Sequence, residues 1–280
     1  MQVLDNHLHT RVSHCCHQNY GLQEVVDKLS LEGLPYACTT DHVHNPGDGT
    51  FLPDQLSERE MLMGRGSSIP VFIGIEASII SRDGRMPLDG LPTMPDFVIA
   101  GDHWIPGSGI SMADLPGGFK LVGTMHDREP QQLDSIYDTV VCMYCQAIRN
   151  EHVVVLVHPF DTFQRIGNSD KRLLDKLETV CDACQDTGTA LEINNASARR
   201  CVELHHGLPL AHEDCMAPTT FFEEMYRIAA RYDITFSTCS DAHEVHLAGN
   251  TSLALNVARK SGINESRFLD LRSLISRKWT

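Results

Sequence analysis

Short apolar runs alternate with longer amphipathic segments along most of the chain. Runs of this length, several of them rich in β-branched residues, are typical of buried parallel strands. The predicted strands are Gln2–Asn6, Tyr36–Thr40, Ile69–Ile75, Phe97–Ala100, Val153–Val157, Ala190–Ile193 and Ile234–Thr238. The predicted helices are Leu22–Leu31, Gln131–Asn150, Lys171–Asp186, Thr220–Arg231 and Ser252–Lys260, with a cap at Ser169-Asp170 before the third. This order predicts right-handed crossovers and a parallel sheet.

The strand-then-helix order continues through 280 residues without a linker rich in proline, glycine or serine. A chain of this length can bury the core of one α/β barrel. We therefore predict an α/β fold with seven strands, a (β/α)7 TIM-like barrel, in a single domain over residues 1–280. The stretch from Pro106 to Gly118 is rich in glycine and proline, which predicts a long loop at the barrel mouth.

Polar side chains that can bind metals follow each predicted strand. They are His7 and His9, Asp41 and His42, Glu76, His103, His158, Glu192 and Asn194, and Asp241 and His243. The carboxyl ends of the strands in a β/α barrel form its active-site face, so these side chains are predicted to converge. Side chains alternate along a strand, which places both histidines of a His-x-His pair on the same side. A carboxylate such as Glu76 can bridge two cations, and the set predicts a cluster of divalent metals.

Charge and hydropathy exclude several classes of partner. The net charge is −14 with neutral histidines, which disfavours a dedicated binder of nucleic acid. No apolar run approaches the ~20 residues of a membrane helix, and no signal peptide is recognisable, so a cytoplasmic location is expected. The ten cysteines are then expected to be reduced thiols. The two C-x-x-C pairs lie in helical patterns and are interpreted as buried helix positions.

The order of these motifs resembles that of the PHP superfamily (polymerase and histidinol phosphatase), from Asp5 to about Gly262. The motifs are His7-Leu8-His9-Thr10, Thr40-Asp41-His42, Gly74-Ile75-Glu76, Asp102-His103, His158-Pro159 and Ser240-Asp241-Ala242-His243. Two stretches are similar to the histidinol-phosphatase branch, Phe97 to His103 and Leu191 to Asn194 followed by Arg199. The resemblance implies a distorted seven-stranded barrel with two or three divalent cations, which would be zinc, manganese or iron.

The resemblance also implies which residues hold each cation. His7, His9, Glu76 and Asp241 would hold the first cation, and Glu76, His103 and His158 the second. His42, His243 and a histidine after His9 would hold the third. The phosphatases have that histidine six residues after the second one, where this chain has Cys15. His14 is the favoured substitute, and His17 and Cys15 stay open as alternatives.

The activity implied by the resemblance is the hydrolysis of a small phosphomonoester, with histidinol phosphate as a candidate. A hydroxide formed on the metals would attack phosphorus, and Arg199 would neutralise the phosphoryl oxygens. Asp41 is the candidate for protonating the leaving group, with His44 nearby. Arg199, His44 and Asn194 are the candidate substrate-binding residues. The expected partner is a small phosphorylated metabolite, with no membrane.

Three other functions remain open at this stage. PHP domains also accompany DNA polymerases, which allows a phosphodiesterase or exonuclease. Barrels with His-x-His motifs are shared with metal-dependent amidohydrolases, although these usually need a lysine where Glu76 stands. A non-catalytic metal-binding module would be expected to have lost several ligands, whereas this chain retains a nearly complete set.

Overall fold

A computed structural model describes residues 4–16, 19–105, 108, 110–115, 118–122, 129–204 and 214–278. A parallel six-stranded sheet forms its centre, in the order β1-β2-β3-β7-β8-β9. These strands are β1 (Ala37–Val43), β2 (Val71–Ser78), β3 (Phe97–Gly101), β7 (Val153–Leu156), β8 (Ala190–Asn194) and β9 (Phe236–Cys239). Six of the seven predicted strands are therefore confirmed, each within a few residues.

All five predicted helices are confirmed within a few residues, and four further helices lie in the described residues. The helices are α1 (Leu22–Leu31), α2 (Leu52–Gly64), α3 (Pro130–Ala147), α4 (Asp161–Arg165), α5 (Lys171–Thr187), α6 (Asn195–Leu204), α7 (Pro218–Ala229), α8 (Ser252–Lys260) and α9 (Leu271–Lys278). The predicted cap before α5 is confirmed, because the Asp170 side chain accepts a hydrogen bond from the Arg172 backbone N–H. Helix α2 was not predicted: its apolar pattern is weak, and Pro53 lies in the first turn, where a helix tolerates proline.

The first two residues of the predicted strand Gln2–Asn6 lie outside the described residues. Its other three residues are described and do not form a strand. Residues 4–9 nevertheless run between the two edges of the sheet. The backbone N–H of His9 donates to the carbonyl of Ala242, just after β9, at 3.0 Å. On the other side, the N–H of Thr40 in β1 donates to the carbonyl of Leu8 at 2.8 Å. The sheet is thus curled, and a single extended segment contacts both of its edges.

The two faces of β3 lie in different apolar clusters. In β3, Val98 and Ala100 belong to the large apolar cluster that includes the helices, whereas Phe97 and Ile99 belong to a second cluster. Two residues beyond Ile99 comes Gly101, whose added Cβ would lie 2.8 Å from a ring carbon of His158. The second face therefore changes from apolar to metal-capable towards the carboxyl ends of the strands.

The predicted long loop from Pro106 to Gly118 is wrong in part. A three-stranded antiparallel sheet lies there, formed by β4 (Trp104–Ile105), β5 (Ile110–Leu115) and β6 (Gly118–Val122). Leu115 pairs with Gly118, so β5 and β6 are adjacent arms of a hairpin. The glycine and proline content of the stretch suits turns between short strands as well as it suits a loop.

Candidate metal centre

The carboxylate of Glu76, near the end of β2, lies at the centre of a group of histidines. Its oxygens are 2.7 Å from Nε2 of His158, 2.9 Å from Nδ1 of His42, 3.2 Å from Nε2 of His7 and of His103, and 3.5 Å from Nε2 of His9. All six side chains are at most 7% exposed. Such a buried convergence of imidazoles on one carboxylate is a ligand set for divalent cations.

The hydrogen bonds behind His7 and His9 orient their free nitrogens. Nδ1 of His7 lies 2.8 Å from a carboxylate oxygen of Glu192, which can only accept, so Nδ1 carries the proton. Ser13 donates its hydroxyl hydrogen to Asp41 and can accept from Nδ1 of His9 at 3.3 Å. Nε2 of both rings is then a lone-pair acceptor, and these two atoms lie 3.1 Å apart. Two nitrogens this close in a buried site share either a proton or a cation, and a divalent cation can bind both.

Asp241, two residues after β9, adds a second carboxylate to this group. Its Oδ1 lies 3.4 Å from Nε2 of His9 and 3.7 Å from Nε2 of His7. The backbone φ is 51° at Asp241 and 31° at His158, a region that is costly for residues other than glycine. Strained backbone at two strand ends is typical of sites whose geometry is imposed by function.

A second group forms around the other oxygen of Glu76. Ligand atoms of Glu76, His103 and His158 lie within 4.8 Å of one another. Nδ1 of His103 contacts the Ser78 hydroxyl at 2.8 Å, and the same hydroxyl lies 2.7 Å from Nδ1 of His44. Ser78 therefore links the two rings, and the Nε2 atom of His103 faces Glu76.

A third group consists of His9, His42 and His243, whose ligand atoms also lie within 4.8 Å of one another. The ring of His42 stacks on that of His9, with centroids 4.2 Å apart, and the centroids of His9 and His243 are 4.4 Å apart. His42 also approaches Glu76, which places this group next to the other two.

The surroundings shift the pKa values of His9, His42 and Glu76 so that each side chain favours the protonation state of a metal ligand. Burial and the charge of His243 lower the pKa of His9 to about 3, and burial lowers that of His42 well below its usual value. Burial opposes the ionisation of Glu76, but the surrounding histidines, His42 foremost, hold its pKa well below the usual range. Neutral imidazoles and ionised carboxylates are the forms that bind cations.

Two other imidazoles have pKa values shifted in the opposite direction. Burial disfavours the charged form of His158, but the hydrogen bond that its ring donates to Glu76 outweighs burial and raises the pKa to about 9. Burial likewise disfavours charge on His7, and the carboxylates of Glu192, Glu76 and Asp241 raise its pKa well above normal. The buried negative charge thus requires a positive counterpart, which divalent cations would supply in exchange for these protons.

A cavity of about 260 Å³ is lined by part of the metal-capable set and by three arginines. The metal-capable residues on its wall are His42, Glu76, His103, His158, Asp241 and His243. The arginines are Arg165 at the end of α4 and Arg199 and Arg200 in α6. Buried Asp161 accepts hydrogen bonds from Arg165 and Arg200, the latter at 2.9 and 3.0 Å, whereas Arg199 is 48% exposed. Cations and arginines on one cavity form a site suited to an oxyanion such as phosphate.

Several predicted site residues lie near the cluster but outside the cavity lining. The oxygens of Asp41 accept hydrogen bonds from the Thr10 backbone and from the side chains of Thr10, Ser13 and Gln55. Asp41 thus holds the turn after His9, and its predicted role in protonating the leaving group stays a prediction. Asn194 donates to Glu192 and Asp241, and its carbonyl oxygen accepts from the Ser197 backbone.

His44, another predicted substrate-binding residue, stacks on His42 with ring centroids 4.6 Å apart and also lies outside the cavity lining. His14, the favoured third-site ligand, is exposed, whereas the adjacent Cys15 is buried and lines the cavity. His17 lies outside the described residues.

Sequence reasoning missed Arg165, Asp161 and Arg200, and it placed Glu192 only among the polar side chains at the strand ends. The i,i+4 spacing of Asp161 and Arg165, directly after His158-Pro159, was an available signal for an ion pair at the site. The contact between Asp161 and Arg200 joins residues 39 positions apart, and no local pattern reveals such a pair.

Comparisons with known proteins agree with this architecture. No protein-family model matches the chain. A protein of Vibrio campbellii described as a probable phosphatase is 22% identical over 267 residues, which cover 95% of this chain and 87% of the relative. No helix in the described part of the chain is long and apolar enough to cross a membrane.

Two solved structures have a similar fold. One is the histidinol phosphate phosphatase of Lactococcus lactis subsp. lactis Il1403 in complex with zinc, L-histidinol and phosphate, with a TM-score of 0.63, 18% identity and coverage of 94% of this chain and 95% of that one. The other is a proposed histidinol phosphatase of Listeria monocytogenes, with a TM-score of 0.54, 16% identity and coverage of 88% and 97%. The chain therefore has the α/β fold of these histidinol phosphatases, built on a curled parallel sheet of six described strands.

Proposed function

We propose that this chain is a metal-dependent phosphatase of the PHP type that hydrolyses a small phosphomonoester. The observation that carries the proposal is one cavity lined by Glu76, four metal-capable histidines and three arginines. The PHP-type motifs, the fold of the histidinol phosphatases and the phosphatase relative support the same activity. The hydrogen bonds of residues 4–9 to both sheet edges support a seventh strand that closes the distorted barrel.

Two or three divalent cations would bind to the histidines and carboxylates at the cavity. Zinc, manganese and iron suit such nitrogen and oxygen donors. The solved Lactococcus enzyme contains zinc, which makes zinc the first metal to test. The proposed ligands are His7, His9, Glu76 and Asp241 for the first cation, Glu76, His103 and His158 for the second, and His42 and His243 for the third. The bound cations would lower the pKa of a water molecule and thus supply the nucleophile near neutral pH.

The protein's own groups would bind and orient the phosphate. Arg199 is the most exposed of the three arginines and can adjust to the substrate, whereas Arg165 and Arg200 are held in place by Asp161. Guanidinium groups match the geometry of phosphoryl oxygens and stabilise the charge that they carry in the transition state. Glu192 and Ser78 fix the rings of His7 and His103, so that the metal-binding nitrogens stay directed at the cavity.

The same cavity disfavours the other functions considered. A polynucleotide needs an extended basic groove, whereas this chain has a net charge of −14 and a cavity of about 260 Å³. The described cavity lining contains no lysine, which an amidohydrolase usually needs, and Glu76 occupies the bridging position instead. A non-catalytic metal-binding module would not need three arginines beside its ligands.

A substrate panel tests this proposal. Phosphate release is measured with zinc-loaded protein on histidinol phosphate, other small phosphomonoesters, nucleotides, a synthetic phosphodiester and oligonucleotides. We expect at least one small monoester to be hydrolysed faster than the diester and the oligonucleotides. Histidinol phosphate is the first candidate. The Glu76→Gln variant, purified in parallel, measures contaminating phosphatase. Faster cleavage of oligonucleotides or of the diester than of every monoester would contradict the proposal.

A further inference from the structure

The end of β2 carries a buried serine between two histidines of neighbouring strands. Ser78 lies two residues after Glu76, so both side chains point to the same face of the sheet. In the parallel register His42 of β1 pairs with Glu76, and His44 comes two residues later, level with Ser78. On the other side of β2, His103 follows the end of β3. Strand register therefore places Ser78 between the imidazoles of His44 and His103.

Both imidazoles contact the Ser78 hydroxyl through the same ring atom. Its Oγ lies 2.7 Å from Nδ1 of His44 and 2.8 Å from Nδ1 of His103. Ser78 is fully buried and His103 is 2% exposed, so bulk water does not compete for these contacts. The ring of His44 also packs against His103 and His42, with centroids 4.8 and 4.6 Å away. His44 thus supports two proposed ligands from outside the cavity lining.

The single hydrogen of the serine hydroxyl gives the two contacts a direction. Nε2 of His103 faces Glu76 at 3.2 Å and is the atom that would bind the cation. A neutral imidazole carries its proton on one nitrogen, so a cation on Nε2 leaves the proton of His103 on Nδ1, which donates to Oγ. The hydroxyl hydrogen is then directed at Nδ1 of His44, and the proton of His44 lies on its Nε2.

We propose that His44 is a positioning residue for the second cation, which acts on His103 through Ser78. By accepting the hydroxyl hydrogen, His44 keeps the lone pairs of Oγ directed at Nδ1 of His103, and the ring of His103 stays oriented. Hydrogen bonds behind a metal ligand support its orientation and basicity in this way. The inference rests on the proposed function only in that the cavity binds divalent cations. It differs from the substrate-binding role that the sequence suggested for His44.

The tautomers of the two rings test the direction of this chain in the wild-type protein. Protein with ¹⁵N-labelled histidine is loaded with zinc, and long-range nitrogen–proton spectra distinguish protonated, acceptor and metal-bound ring nitrogens. Comparison with His44→Asn and His103→Asn assigns the signals. We expect a protonated Nδ1 and a metal-bound Nε2 in His103, and a protonated Nε2 in His44. A His44 ring that is protonated on Nδ1 in the zinc-loaded protein would overturn the inference.

Zinc affinity of two His44 variants separates positioning from a direct contact with substrate. His44→Phe keeps a ring but loses the acceptor, whereas the amide oxygen of His44→Asn can take the place of Nδ1 and accept from Ser78. Affinity for one zinc equivalent should fall by about 10–100-fold in Ser78→Ala and His44→Phe and recover in His44→Asn. Competition with a chelator measures it, and His152→Phe on the exposed turn before β7 is the matched control.

The double variant tests whether His44 acts through the hydroxyl. Because His44 has no route to His103 without Oγ in this account, Ser78→Ala with His44→Phe should bind zinc no more weakly than Ser78→Ala alone. Additive losses would overturn the chain. Unchanged zinc affinity in both His44 variants, together with a higher KM in both, would instead assign His44 to the substrate. Circular dichroism melting shows which variants are folded.

The outcomes separate this inference from the proposed function. Protein that binds zinc with the expected tautomers but hydrolyses no phosphomonoester would contradict the phosphatase proposal and leave the role of His44 intact. Active protein whose folded Ser78→Ala variant keeps full zinc affinity would overturn the role of His44 alone. Protein that binds no zinc would contradict both proposals.

Discussion

Glu192 accepts a hydrogen bond from Nδ1 of His7 at 2.8 Å, so that the opposite nitrogen of the ring faces the carboxylate of Glu76 at 3.2 Å. The other oxygen of Glu192 accepts from the backbone N–H of His158 at 2.8 Å. One buried carboxylate in β8 thus positions residues from two of the proposed cation sites. This relationship couples the sheet to the metal centre, since β8 hydrogen-bonds to β7 and β9, whose ends carry His158 and Asp241.

The Glu192→Gln variant should retain the fold but bind metal more weakly. An amide has only one acceptor oxygen, so either His7 or the His158 backbone loses its partner, and metal affinity should fall by roughly 10–100-fold. Competition with a chelator measures this affinity. The matched control is Glu178→Gln on the exposed face of α5. Equal metal affinity in the two variants would show that Glu192 does not position the ligands.

Glu76→Gln should be more damaging than Glu192→Gln. A neutral amide cannot bridge two cations, and the loss of several kcal/mol of charge stabilisation corresponds to a roughly 100–1,000-fold lower rate of phosphate release. Elemental analysis should also find fewer metal equivalents per chain. The exposed Glu60→Gln variant in α2 serves as the control. Full metal content and normal turnover in Glu76→Gln would exclude a bridging role.

The Arg199→Ala variant tests recognition of the phosphate group. Loss of a charged contact worth ~1.4–2.7 kcal/mol should lower kcat/KM by roughly 10–100-fold. Metal content should not change, because Arg199 lies outside the metal-capable groups. Arg259→Ala, on the exposed side of α8, is the control for loss of a positive charge. Unchanged kinetics would assign phosphate binding to Arg165 or Arg200 instead.

Asp161→Asn should affect both stability and substrate binding. The buried carboxylate holds two guanidinium groups and also accepts from the Ser197 hydroxyl at 2.8 Å, so its neutralisation should lower the free energy of unfolding by about 1–3 kcal/mol. KM should rise because Arg165 and Arg200 lose their fixed position. Thermal melting and steady-state kinetics check both effects against Asp175→Asn on the exposed face of α5. An unchanged melting temperature together with an unchanged KM would mean that the arginines are held by other contacts.

The periodic pattern predicted the central sheet because buried parallel strands are continuous apolar runs that differ from amphipathic helices. The cluster around Glu76 was also predictable, since each ligand follows a strand and strand order fixes where the ends meet. His14 was favoured over Cys15 because residue type and spacing do not reveal which side chain of a turn points inwards. The hydrogen bonds from Thr10 and Ser13 to Asp41 decide that direction, and they depend on the tertiary structure. The partners of Arg200 were hidden for the same reason.

The most direct test of the central claim combines metal content with activity in one titration. Protein is stripped with a chelator, shown by elemental analysis to be metal-free, and titrated with zinc while phosphate release from a small monoester is measured at each step. We predict no activity without metal, recovery as zinc binds, and saturation at more than one equivalent per chain. Phosphate release that persists in metal-free protein, or fully loaded protein that hydrolyses no phosphomonoester, would contradict a metal-dependent phosphatase.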